Sequence, residues 1–144
     1  MIEKDTVRLL RECDAGIKMG VSSIDDVLDN VKAQNMRDCL KTSKCRHLEL
    51  QGEVDSLLRN YCDEGKQPSP LTLGMSWIKT NVSLAVDSSD STVAELMTDG
   101  CNMGVKSLSR YLNQYAAADE KSKDICKKLI RIEEQLSVDM RDYL

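Results

Sequence analysis

Seam residues in this chain return at alternating steps of four and three over four separate stretches, and that spacing confines it to helices packed side by side. The first stretch runs Leu10, Asp14, Ile17, Val21, Ile24, Leu28; the second Met36, Leu40, Ser43, His47, Leu50, Val54, Leu57, Tyr61. The third is Ala94, Thr98, Cys101, Val105, Leu108, Leu112, Tyr115, and the fourth Ser122, Cys126, Leu129, Glu133, Leu136, Met140, Tyr143. No stretch alternates over a strand length. The absence of Phe and the presence of only two Pro in 144 residues agree with a helical chain and argue against a sandwich or barrel.

Local signals set the boundaries. Helices are predicted over 5–31, 35–64, 92–115 and 119–144, with Asn35 and Asp119 as N-caps and Thr92 with Glu95 as a capping box. Gly65, Pro68 and Pro70 stop the second helix. Between them a further seam, Leu71, Met75, Ile78, Val82 and Ala85, predicts a short helix over 71–86 that crosses the bundle and carries the only tryptophan, Trp77. The length suits one domain, 1–144.

The halves of the chain are related. Gly16-Ile17-Lys18-Met19-Gly20-Val21-Ser22-Ser23 recurs, with five identities, as Gly100-Cys101-Asn102-Met103-Gly104-Val105-Lys106-Ser107. The first seam maps onto the third in this way, and the second maps onto the fourth in pattern, which implies two similar helical hairpins. Each glycine costs about 1 kcal/mol of helix propensity, so close helix approach or room for a ligand should offset it.

Composition removes some functions. With 20 basic and 24 acidic residues mixed along the chain and a net charge of −4, there is no basic stripe for nucleic acid. The charged start, Met1-Ile2-Glu3-Lys4-Asp5, gives neither a signal-peptide core nor a membrane span, so a cytoplasmic protein without a membrane partner is expected. The six cysteines form no Cys-x-x-Cys pair and are read as reduced core residues rather than a disulfide framework or a copper ladder.

Two hairpins joined by a long crossover are the plan of ferritin-like bundles. The chain resembles an uncharacterised bacterial ferritin-like family, a domain of unknown function. The likeness lies in Leu10-Arg11-Glu12-Cys13-Asp14-Ala15-Gly16-Ile17, in Trp77-Ile78-Lys79-Thr80-Asn81-Val82, and in the runs from Ala94-Glu95-Leu96 to Tyr111-Leu112. It implies an all-α, antiparallel four-helix bundle with an additional short helix in the crossover between the second and third helices. Di-iron members of that group take a Glu from two helices and a Glu-x-x-His from each of the other two. At those positions this chain has Asp14, Thr98, Lys44-x-x-His47 and Ile130-x-x-Glu133.

Asp14, His47 and Glu133 are therefore the candidate polar or metal site, with no catalytic residue assigned. Height arithmetic on the first hairpin separates Asp14 from His47 by about 7 Å and pairs each with a different neighbour, such as Glu12, Glu53 or a nearby Lys. Ile132 offers an alternative stripe that would turn Glu133 towards solvent. The leading expectation is a non-catalytic structural or interaction module without a cofactor. Its partner would be a second copy or another protein, met through Leu9, Val27, Val31, Leu96, Met97, Met103 and Tyr111. The alternatives are a metal-binding or di-iron-type oxidoreductase holding iron or another transition metal, and a small-molecule binding bundle that uses the glycine-lined gap with His47 and a tyrosine as anchors.

Overall fold

The computed structural model describes residues 2–63, 65, 66 and 89–144, with side chains from Lys4 onward. The predicted 71–86 helix lies outside the described residues. Four helices fill most of the rest: α1 Ile2–Leu28, α2 Gln34–Asn60, α3 Asp90–Gln114 and α4 Glu120–Met140, closed by a 3-10 turn at Arg141–Tyr143. Among the described residues there is no strand, and no helix is long and apolar enough to cross a membrane.

The helix ends follow from hydrogen-bond supply. Asp119 caps α4 as predicted, its carboxylate accepting the Ser122 N–H at 2.8 Å. The cap of α3 lies three residues before the predicted Thr92: Ser89 Oγ accepts the Thr92 N–H, which places Thr92 and Glu95 inside the helix. The predicted cap at Asn35 is also displaced. The chain enters α2 through Ala33, which has no side chain to cap with. Instead Asp90, in the first turn of α3, accepts from the Lys32 and Ala33 N–H groups at 2.8 and 2.9 Å. α2 stops at Asn60, four residues before the predicted end, because Cys62 turns into the left-handed region at φ 54°.

Two apolar clusters fix the topology. One gathers Ile24 and Val27 from the end of α1, Met36 and Leu40 from the start of α2, Val93 and Met97 from the start of α3, and Met140 from the end of α4. The other joins the opposite ends, with Leu9, Leu10, Leu58, Leu108, Ile125 and Leu129. Each hairpin is therefore antiparallel, and α2 and α3 run parallel. Burying such side chains stabilises the fold by about 1.5–3 kcal/mol each.

The fourth seam is buried at every position from Ser122 to Met140. In α2 the stripe ends on Leu58 rather than Leu57. An ideal helix drifts about 20° per heptad against a 3.5-residue repeat, so after three heptads the next residue faces the core better. The outward face proposed for self-association is largely overturned: Leu9, Val27, Val31, Leu96 and Met97 are buried inside the chain, Tyr111 is half-buried, and only Met103 is exposed. α1 and α3 thus bury a wider stripe than their seams alone.

Candidate functional site

Between the two apolar clusters lies a polar layer built on α2 and α4. His47 and Glu133 each stand fourteenth in their helices and meet there, His47 Nε2 lying 2.8 Å from Glu133 Oε1. His47 Nδ1 lies 2.7 Å from the carbonyl oxygen of Ser43, one turn earlier on α2. A carbonyl can only accept, and so can an ionised carboxylate, so both ring nitrogens carry protons in this arrangement. Burial disfavours the charged ring, but the hydrogen bond and charge of Glu133, helped by the Ser43 carbonyl, outweigh it and raise the His47 pKa above its ordinary value. The ring is fully buried and Glu133 is 8% exposed. The placement of Glu133 towards solvent is thereby excluded, and Ile132 is the half-buried residue of the two.

Cys101 on α3 completes the layer. Its thiol is held protonated, first by burial and then by the charge of Glu133 and a hydrogen bond to it. Sequence reasoning read Cys101 as core filler and missed this role, although its place on the third seam was a usable signal.

The layer exists because α1 has no side chain where the imidazole sits. A β-carbon on Gly20 would come within 2.6 Å of His47 Nε2 and 3.3 Å of Glu133 Oε1. Gly104 of α3 is less constrained: a β-carbon there would rest 3.6 Å from Glu133 Oε2, an ordinary contact.

Asp14 belongs elsewhere. It is 1% exposed and accepts from Lys18 Nζ at 2.8 Å, from Gln51 Nε2 at 2.6 Å and from the Lys66 N–H at 2.8 Å. Gly65, at φ 87°, passes so close that a β-carbon would collide with the Asp14 carboxylate. Asp14 thus fastens the chain leaving α2 onto α1, and a second bond, Lys66 Nζ to Glu12 at 2.5 Å, reinforces it. The three candidates resolve into a pair and a separate clip. Asp14 and His47 bond to different neighbours, but the partner of His47 comes from the second hairpin rather than from Glu12 or Glu53. The surface pair Lys128–Glu53, 3.5 Å apart, accounts for Glu53.

The di-metal pattern implied by the resemblance does not fit these residues. Lys44, where a carboxylate is needed, turns outward to Asp25 at 2.6 Å. Ile130 packs against an apolar cluster, Thr98 supplies only a hydroxyl, and Asp14 is engaged in its clip. Among the described residues, no group of three His, Cys, Asp or Glu side chains could hold a metal ion.

Beside the polar layer, a cavity of about 500 Å³ opens between α1 and α3. Gly16 and Gly20 line one wall, Gly100 and Gly104 the other, and His47 with Glu133 reach its floor. Both glycine pairs thus border the cavity. Comparison with family models, with curated proteins and with solved structures finds no match to this chain.

Proposed function

We propose that this chain is a ferritin-like helical bundle of the cytoplasm that serves as a structural or interaction module, with 71–86 as an additional helix in its crossover and with a hydrogen-bonded pair, His47–Glu133, where related bundles hold metal. The observation that carries the reading is the occupancy of both imidazole nitrogens, one by Glu133 and one by the Ser43 carbonyl. A ring that donates twice has no lone pair to offer a cation. The parallel run of α2 and α3 supports the ferritin-like comparison, and the correspondence of Gly16-x-x-x-Gly20 with Gly100-x-x-x-Gly104 supports two related hairpins.

Elemental analysis of the purified chain tests the reading. The expected result is no stoichiometric iron, manganese or copper, with His47→Ala changing only the denaturation midpoint. About one metal per chain, lost equally in His47→Ala and Glu133→Ala, would put the metalloprotein reading in its place.

A further inference from the structure

Cys13 of α1 and Cys126 of α4 belong to different hairpins, and no Cys-x-x-Cys spacing joins them. The packing of α1 on α4 nevertheless sets them face to face. The two helices run parallel, since their starts share one apolar cluster and their ends the other. Three contacts fix their register. Thr6 Oγ1 accepts the Asp119 N–H at 2.9 Å, a β-carbon on Gly16 would rest 3.5 Å from Leu129, and one on Gly20 would lie 3.3 Å from Glu133. In each case the partners are 113 positions apart, and Cys13 with Cys126 repeats that separation between the first contact and the second.

Both side chains are fully buried in the same apolar cluster, where they share a hydrogen bond. Cys126 Sγ directs its own proton at the Leu108 carbonyl oxygen of α3, 3.7 Å away, and so receives the Cys13 S–H. That bond raises the Cys13 pKa well above the ordinary thiol value, with burial adding to it, and lowers that of Cys126 against the effect of burial. Cys126 is therefore the sulfur that ionises first, and Cys13 is the thiol held beside it.

We propose that Cys13 and Cys126 form a buried dithiol that hydrogen peroxide oxidises to a disulfide, locking the first hairpin to the second. The Cys126 sulfur attacks one peroxide oxygen, the O–O bond breaks, and the thiol proton leaves with the departing oxygen as water, which yields a sulfenic acid. The Cys13 sulfur then attacks the Cys126 sulfur. The S–S bond forms, the S–O bond breaks, and the hydroxyl carries the Cys13 proton away as a second water. The dithiol loses two electrons and the peroxide gains them. Burial selects the oxidant: a neutral molecule close to water in size reaches the core through brief local opening, whereas oxidised glutathione meets the exposed Cys45 and Cys62 first. The bond closes a loop over most of the chain and so disfavours the unfolded state.

The unaltered full-length chain, treated with hydrogen peroxide while native, is alkylated, digested and mapped by mass spectrometry. The expected result is a Cys13–Cys126 linked peptide, reversed by dithiothreitol, and a raised urea midpoint for the linked chain. Oxidised glutathione should instead modify Cys45 and Cys62 and give at least about tenfold less of the link. Cys13→Ser should let dimedone trap a sulfenic acid at Cys126. Oxidation confined to Cys45 and Cys62, a link made only in denaturant, linkage of either buried cysteine to another partner, or a lowered midpoint would overturn the proposal. Equal linking by oxidised glutathione would overturn the selection for a small oxidant, and a folded Cys13→Ser chain with no trapped acid at Cys126 would overturn the order of attack.

Discussion

Gly20 and Gly104 hold matching places in the two halves of the chain, yet they answer to different constraints. A methyl group on Gly20 would strike the His47 ring, whereas one on Gly104 would only touch the Glu133 side chain. The difference arises because the central pair is asymmetric: the first hairpin contributes a bulky aromatic cation, the second a slender carboxylate. Similar backbones can share one polar layer, but the space beside each half must fit what that half puts into it.

The largest way to break this asymmetry is to remove the carboxylate. Glu133→Ala leaves a buried imidazole without its counter-charge and should cost on the order of 3 kcal/mol in denaturant unfolding. Replacing both His47 and Glu133 by Leu should recover most of that, because two buried polar groups disappear together. If the double variant were no more stable than Glu133→Ala, the layer would be held by something other than the pair.

Next in size is the glycine comparison itself. Gly20→Ala should destabilise by about 1–3 kcal/mol through overpacking against His47, less the helix propensity that alanine gains. Gly104→Ala should fall within about 1 kcal/mol of neutral, on the stabilising side. Equal losses at both positions would mean that the two halves are constrained alike.

Smallest is Lys44→Ala. Lys44 and Asp25 are both partly exposed, so losing their 2.6 Å contact should change stability by no more than about 0.5 kcal/mol. A large loss would show that Lys44 takes part in the central layer despite pointing away from it.

Much of the helical architecture was legible because seam spacing reports burial directly. It was most accurate in α4, where the steps from Ser122 to Met140 close on whole turns and every seam residue between them is buried. It failed around α1, where the buried stripe is wider than one seam: Leu9, Val27 and Val31 looked like spare surface but are buried. That Asp14 and His47 bond to different neighbours was foreseeable from rise per residue within one hairpin. The meeting of His47 with Glu133 could not be reached that way, since it depends on how α2 packs against α4. Their matching places in the second and fourth seams were the available clue. The Asp14 clip was hidden for another reason: its donors include the Lys66 backbone N–H, which no side-chain pattern encodes.

His47 is the only histidine in the chain, so its ring nitrogens can be followed by NMR without assignment ambiguity. Because its folded pKa is raised above the unfolded value, the stability it contributes is fully present below about pH 6.5 and is lost as pH climbs through the folded value. The central claim is that both nitrogens donate hydrogen bonds, and a nitrogen-15 titration of the imidazole measures this directly. The account predicts a ring protonated on both nitrogens at pH 6.5, an upward-shifted midpoint that reverts in Glu133→Gln, and no change when ferrous or zinc ion is added. A midpoint below 6.5, or a single metal-bound nitrogen after adding either ion, would contradict it.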